Sequence, residues 1–454
     1  MAFERLLNDY LKSWKISDNR KPLILRGARQ VGKTTMVKEF AKGYDHAILL
    51  NLEKPSDKEV FETFDEAKTI LEALFLSYNI RPSEKNNTLL FLDEIQESPQ
   101  AIQMLRYFYE DSPDLHVIAA GSLLEFAIKT VDSFPVGRVE YAYLYPLNFH
   151  EYLKAIGHDS AAEQLEHIPV RPVAHKIILD LFHRYAIIGG MPEVVKTDIQ
   201  KANLAELPKV YESIWETYKD DVRKYAKNEN ERKVIKHIMD TAPLYLDQRV
   251  KFQNFGSSNY KSREVGEAMR HLDAAKVIQL IYPTSDNIPP LKPNLKKSPR
   301  LQFLDTGLIN YNLQIQAQML GMEDLNKAFK GAIIPHLITQ EVISLNNIMN
   351  TKPHFWIREK LQAQSEVDLV ISYRDKVIPI EVKSGTKGTL KSLHQFMDRT
   401  NHPYAIRMYA GKFKIQESST IAGTRFLLMD LPYYLGTQLS KYIGYFIENH
   451  TLDS

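Results

Sequence analysis

The sequence predicts an α/β chain of several folding units: a parallel sheet first, then a helical section, a winged-helix-like section and a mixed α/β section. Three observations predict it. Up to about residue 165, amphipathic helices alternate with the short apolar runs LILR, AILLNLE, TLLFLDE, LHVIAAG and VEYAYLYPL, the rhythm of a parallel sheet. Strand signals then stop, and helical periodicity takes over in HKIILDLFHRYAIIGG and ERKVIKHIMDTAPLYL. Beyond residue 318, helix and strand patterns mix again. Single cores rarely exceed ~250 to 300 residues, so a chain of 454 is expected to hold two to four domains, divided as 1–165, 166–245, 246–318 and 319–454.

Composition narrows the class. With 44% apolar and 25% charged residues the chain has the make-up of a soluble globular protein, so disorder is not indicated. No run approaches the ~18 to 20 apolar residues that cross a bilayer. The start MAFERLLNDYLKSWK carries charges where a signal peptide would be apolar, so no membrane partner and a cytoplasmic location are expected. The absence of cysteine excludes disulfides and thiolate metal sites. A net charge of +2 gives no global case for nucleic acid, which must rest on local patches. No internal repeat or low-complexity tract is present.

In the first section, LILR reads as a buried strand and the segment from Thr34 to Phe40 as a helix. Between them GARQVGKTT completes the phosphate-binding pattern GxxxxGK[ST]. Its residues Gly27, Ala28, Arg29, Gln30, Val31, Gly32, Lys33, Thr34 and Thr35 are the expected nucleotide contacts. Glycines let backbone N–H groups turn toward phosphates, and the helix N-terminus adds partial positive charge. Lys33 is placed to reach the β and γ phosphates, and Thr34 to hold Mg²⁺. Asp93-Glu94 closes the strand Leu89–Leu92 at the edge of a parallel sheet where ligands bind. Asp93 suits Mg²⁺ through water, and Glu94 suits orientation of the attacking water. Ser122, after the next strand, is either a γ-phosphate sensor or the N-cap of a helix over Leu123–Thr130. Arg138, between that helix and VEYAYLYPL, is expected to face out of the nucleotide edge as an arginine finger for a neighbouring subunit, the alternative being a salt-bridged surface residue.

GARQVGKTT, LLFLDEIQ, AAGS, Gly137-Arg138, PLNFHEYL and GGMPEVV, in this order, resemble a prokaryotic family of AAA+ ATPases related to initiator and STAND-type NTPases. The resemblance implies ATP binding and hydrolysis within a homo-oligomer, with a hexamer as one candidate size. It also implies that Pro192 of Gly190-Met191-Pro192 lies in a helical lid near the nucleobase. It extends through a winged-helix-like section and LQFLDTGLI to a restriction-endonuclease-like C-terminal domain of the PD-(D/E)xK type.

The last section supports an independent reading. SEVDLVISYRDKVIPIEVKSG holds two β-runs flanking Tyr373–Lys376. A hairpin centred on Arg374-Asp375 pairs residues whose numbers sum to 749, which sets Asp368 opposite Glu381 and puts Lys383 on the same face. Val367, Leu369 and Ile371 against Val382, Ile380 and Ile378 form an apolar face, so one face is expected to pack and the other to do chemistry. Opposed carboxylates destabilise a sheet. A divalent cation on Asp368 and Glu381 would relieve them, with Lys383 near the scissile phosphate. This matches the D…ExK core of PD-(D/E)xK nucleases. The solvated acid-acid-base face is the alternative. Where the family pattern leads one to expect a Glu in the preceding helix, the chain has Pro335, with Glu341 the nearest substitute.

From Arg249 to Arg300 ten Lys or Arg stand against four Asp or Glu, a local basic excess. Lys261, Arg263 and Arg270 on a recognition helix, and Lys296, Lys297 and Arg300 on or after the Pro-rich loop SDNIPPLKPNLKKSPR, are the expected DNA contacts. Trp14, Trp215 and Trp356 read as core. The expected function is that of an oligomeric ATPase with ATP and Mg²⁺ as cofactors, acting on DNA, with branched or damaged DNA as candidate substrates. Two other readings stand beside it: a STAND-like switch whose nuclease-like domain docks partners, and, third, a P-loop kinase.

Overall fold

The computed structural model describes residues 2–122, 134–358, 365–383 and 390–452. It falls into two compact units. The first comprises Met1–Pro146 with Ala274–Lys276 and Asn346–Asn350, and the second comprises Leu147–Asp273, Val277–Leu345 and Thr351–Ser454.

The first unit runs α1 (Leu7–Lys15), β1 (Leu23–Arg26), α2 (Lys33–Ala41), β2 (His46–Asn51), α3 (Pro55–Thr63), α4 (Ala67–Ser77), β3 (Thr88–Asp93), α5 (Pro99–Asp111), β4 (His116–Gly121) and β5 (Glu140–Tyr143). The five strands form one sheet in the order β2-β3-β4-β1-β5, and every pairing is parallel. Because β3 and β4 are interior strands, they are wholly buried, and they are apolar throughout except at Thr88, Asp93 and His116. Ser98 caps α5 by accepting the Ala101 N–H at 3.2 Å. The order places the C-terminal ends of β1, β3 and β4 side by side, which is what brings the phosphate loop, Asp93 and Ser122 to one edge.

The second unit begins with helices α6 (Phe149–Ala155), α7 (Asp159–Glu166), α8 (His175–Ile188), α9 (Pro192–Lys201), α10 (Leu207–Tyr225) and α11 (Glu229–Thr241). Next come α12 (Ser262–Ala274) and an antiparallel hairpin of β6 (Ile278–Ile281) and β7 (Arg300–Phe303), followed by α13 (Thr306–Asn312), α14 (Gln316–Met319) and α15 (Ile333–Ser344). The Pro-rich segment is the connection of that hairpin. Its start is tied down, since the Thr284 N–H donates to Phe355 and the Thr284 carbonyl accepts from Ile357, both at 2.9 Å.

The remaining strands are β8 (His354–Ile357), β9 (Glu366–Tyr373), β10 (Lys376–Val382), β11 (Tyr404–Tyr409), β12 (Lys414–Ser419) and β13 (Arg425–Pro432). They form a mixed sheet in the order β12-β13-β11-β10-β9-β8, accompanied by α16 (Lys391–Met397) and α17 (Leu439–Asn449). The α/β class is as the sequence predicts. Tyr373 pairs with Lys376 and Leu369 with Ile380, so the 749 register holds, with Arg374 in the turn at φ 53°. The expectation of one packing face and one open face fails: Val370 and Val377, on the Asp368 face, are buried in a core with Trp356, Leu393 and Phe396. Trp14, Trp215 and Trp356 are all buried, as expected. Among the described residues no helix is long and apolar enough to cross a membrane.

Candidate functional site

The phosphate loop leaves β1 through Gly27 at φ 153°, where a side-chain carbon would run into the Leu144 carbonyl oxygen. It enters α2 from Gly32 at φ 98°, in the region that favours glycine. Ala28 and Val31 are buried and anchor the loop, while Thr35 is exposed. Arg29 lies 3.8 Å from Glu53, and Gln30 takes a positive φ of 62°. Lys33 opens α2, and its Nζ donates to the carbonyls of Gly27 and Ala28, both at 2.9 Å. Burial lowers its pKa to about 8, against the opposing pull of Glu94 and Asp93.

Thr34 Oγ1 donates to Asp93 Oδ2 at 2.8 Å. Burial raises the Asp93 pKa, and the Thr34 hydroxyl works against that rise. Glu94 stands at a left-handed φ of 51°, and its carboxylate accepts from Gln96 Nε2 at 2.6 Å. Gln96 escaped the sequence reading because a single amide two residues beyond the acids has no motif of its own. Ser122 follows Gly121, which pairs with Arg26, so it stands level with the start of the loop. Its Oγ is buried and has no hydrogen-bond partner among the described residues. The helix it was alternatively expected to cap, Leu123–Thr130, lies outside the described residues. A hydroxyl donor, an ammonium and a carboxylate pair converging on a glycine loop suit a metal-bound polyphosphate.

Arg138 is elsewhere. It precedes β5, whose Glu140 pairs with Leu23 at the start of β1, and so it sits at the sheet edge opposite the loop. The expectation that it faces out of the nucleotide edge is corrected, because the parallel strands put the residue before β5 at the N-terminal edge. Its Nε donates to Glu110 at 3.0 Å, and the side chain remains 45% exposed.

In the second unit Pro192 opens α9, a position that tolerates its missing N–H. The neighbouring Gly190 donates its N–H to Asp305 Oδ2 at 2.6 Å, and its carbonyl accepts from Leu147 N at 2.7 Å. PLNFHEYL, GGMPEVV and LQFLDTGLI therefore meet at one point, which no spacing along the chain reveals. Glu341 belongs to the same region. It accepts the Phe149 N–H at 3.0 Å and the Tyr185 hydroxyl at 2.7 Å, and burial pushes its pKa up to about 8. Both carboxylate oxygens are engaged there, which corrects its expected part as a substitute ligand beside Asp368.

Asp368 and Glu381 do stand across from each other, but the ladder stops one pair short of them. Asp368 Oδ2 instead accepts the Val382 N–H at 2.9 Å. Lys383 Nζ is 2.8 Å from Glu381 Oε1, on the expected face. Arg300 is not where the sequence reading put it. Its side chain is only 13% exposed, and its guanidinium reaches Asp247 at 3.0 Å, Glu366 at 2.9 Å and Asp368 at 3.5 Å. Arg300 is thus corrected from a DNA contact to a buried counter-ion. The pair also fails as a metal site: both Asp368 oxygens are taken, one by a backbone amide and one by a guanidinium. Among the described residues no group of three or more His, Asp or Glu could hold a metal ion. Asp247 and Glu366 were missed, since they gain meaning only through Arg300.

Lys261, Arg263, Arg270, Lys296 and Lys297 are exposed. Arg263 is paired with Glu267 at 3.1 Å.

Comparison with known proteins agrees with this geometry at one end of the chain. Residues 19–153 match the model of an AAA domain. Residues 179–319 and 330–427 match two domains of unknown function, DUF8612 and DUF4143. No curated protein matches. Among solved structures, the chain is similar to the Walker-type ATPase PABY2304 of Pyrococcus abyssi at 13% identity and a TM-score of 0.44, covering 69% of this chain and 96% of that one. It is also similar to the S. cerevisiae Hsp104-ADP complex at 12% identity and a TM-score of 0.28, over 75% of this chain and 44% of that one. A STAND protein with a tetratricopeptide repeat sensor, PH0952 from Pyrococcus horikoshii, gives 11% identity and a TM-score of 0.26 over 74% and 47%. At these scores the likenesses carry no functional inference. Residues 19–153 are thus a domain of the AAA type.

Proposed function

We propose that the chain is a Mg²⁺-dependent ATPase that hydrolyses ATP within a homo-oligomer and acts on DNA. Lys33 holds the β and γ phosphates, Thr34 and Asp93 hold Mg²⁺, Glu94 orients water and Ser122 senses the γ-phosphate. Mg²⁺ supplies charge neutralisation on the transferring phosphoryl group. Arg138 acts on a neighbouring subunit's nucleotide: its position at the sheet edge opposite its own loop and its half exposure support action on a neighbour rather than on its own nucleotide. The Thr34–Asp93 hydrogen bond of 2.8 Å carries the hydrolysis reading, because it joins the two expected Mg²⁺ holders from separate elements.

The DNA reading rests on the exposed Lys261, Arg263 and Arg270 at α12 and Lys296 and Lys297 on the hairpin connection. A helix and an adjacent basic loop present charge to phosphates in this way. The C-terminal domain contributes binding, since cutting needs a metal that the surroundings of Asp368 do not fit. The test is ATP turnover of the purified chain alone and with linear, single-stranded and four-way DNA. DNA should raise turnover and Lys33→Ala should abolish it; turnover indifferent to every DNA sinks this reading. One observation favours the second reading, a STAND-like switch: Arg300 fills the cluster at Asp368 and leaves the C-terminal domain a docking body. In that case nucleotide changes the sedimentation of the chain, and DNA changes nothing.

A further inference from the structure

Four carboxylates, Asp247, Glu366, Asp368 and Glu381, gather where β7 meets β9 and β10, and a cluster of that kind is costly unless positive charge enters it. Arg300 enters it from the first position of β7. Its Nη1 donates to Asp247 Oδ1 at 3.0 Å and stands 3.5 Å from Asp368 Oδ1, while its Nη2 donates to Glu366 Oε2 at 2.9 Å. The guanidinium also lies over the Phe355 ring, 4.6 Å from its centre. The main chain fixes it from two sides: Arg300 pairs with Ile281 in the hairpin, and the Val250 N–H donates to Pro299 O at 2.9 Å. Arg249 adds a second cation on Glu366 at 2.9 Å, and Lys383 a third on Glu381 Oε1 at 2.8 Å. Inside the cluster, Glu381 Oε2 is buried and has no hydrogen-bond partner among the described residues.

A planar guanidinium reaches several carboxylates through separate N–H groups, whereas a divalent ion needs oxygens converging at ~2.0 to 2.1 Å. The two demands compete for the same oxygens. We infer that Arg300 is the cation resident on Asp247 and Asp368, holding the place of a divalent metal there, so that the native chain binds no metal at this cluster and removal of the guanidinium frees those oxygens for Mg²⁺ or Mn²⁺. The buried, unpartnered oxygen of Glu381 is the second observation that points to a cation at this place. The inference concerns the C-terminal half alone and does not rest on the DNA reading.

The experiment is Mn²⁺ titration of the full chain by calorimetry, without nucleotide, in wild type, Asp368→Asn, Arg300→Met, Arg300→Lys and the Arg300→Met/Asp368→Asn double variant. The phosphate loop is common to all five, so its contribution cancels. Wild type and Asp368→Asn should give the same isotherm. Arg300→Met should gain one Mn²⁺ equivalent, which the double variant loses and Arg300→Lys never acquires. An Asp368-dependent Mn²⁺ site in wild type overturns the inference, as does a folded Arg300→Met with no added site. Should Arg300→Met fail to fold, the wild-type and Asp368→Asn pair still decides, with a difference between them as the refuting result.

Discussion

Thr34 donates its hydroxyl hydrogen bond to Asp93 across 2.8 Å, joining the start of α2 to the end of β3. The two proposed Mg²⁺ holders are thus within hydrogen-bond reach of each other. Thr34→Val keeps the shape and removes the hydroxyl. It is expected to weaken Mg²⁺ affinity, measured with bound nucleotide, by roughly 10- to 100-fold, the usual effect of altering metal-site support.

Lys33 makes nucleotide binding pH-dependent. Burial holds its pKa at about 8, and only the ammonium form attracts phosphate. The affinity of a fluorescent ATP analogue should therefore fall as pH rises above about 8, approaching roughly tenfold per unit. Lys33→Met should bind weakly with no such slope. A wild-type affinity flat up to pH ~10 would contradict the buried position of this lysine.

Arg138 separates a structural role from a catalytic one. Its pair with Glu110 is exposed, so Arg138→Ala should leave the melting temperature almost unchanged. On the proposal that it acts across a subunit boundary, the substitution should nevertheless lower ATP turnover by roughly 10³-fold while nucleotide stays bound. Wild-type turnover in this variant would leave Arg138 as a surface ion pair.

Lys296 and Lys297 are exposed, and Arg300, a few residues on, has a side chain only 13% exposed. Reversing the two lysines to Glu should weaken DNA binding across all sequences and reduce the slope of log affinity against log salt by roughly one per lost phosphate contact. Arg300→Gln should act through stability instead, because it strands Asp247 without its counter-ion and leaves Glu366 with Arg249 alone. Fluorescence anisotropy over a salt series, beside thermal melts, distinguishes the two effects.

Glu341 predicts a pH dependence of stability. Its folded pKa of about 8 lies above the ordinary 4.5, so the folded chain holds the proton more tightly than the unfolded chain. This contribution is full below pH 4.5 and is lost as pH rises through about 8. Glu341→Gln keeps an acceptor for Phe149 N–H and should flatten that decline. Glu341→Ala orphans that amide, leaves the Tyr185 hydroxyl with the Leu147 carbonyl and should cost roughly 2 to 4 kcal/mol at any pH. Melting curves at about pH 5 and about pH 9 check both signs.

The phosphate loop, Asp93-Glu94 and the hairpin register were legible because each is local. A strand, a turn of fixed length and a helix follow one another without interruption, and period-2 alternation pairs Tyr373 with Lys376 once Arg374-Asp375 is the turn. The open chemical face expected beside Asp368 was not legible, because the residues that cover it, Leu393 and Phe396, come from a helix whose docking the hairpin does not encode. Gln96, Asp305 and Tyr185 were missed for the same reason: each acquires its role from a partner.

Arg300 marks where sequence stops and tertiary structure begins. By itself the sequence determined a glycine loop on a parallel α/β sheet and a D…ExK hairpin, since contiguous residues carry both. It read Arg300 as one more cation in a basic run. Only the tertiary structure decided that this guanidinium is buried among Asp247 and Glu366, 53 and 66 residues away, with Asp368 at 3.5 Å. The physical reason is that charge is felt through space: local composition counts an arginine as available for phosphate, while the folded chain has already matched it to carboxylates of its own.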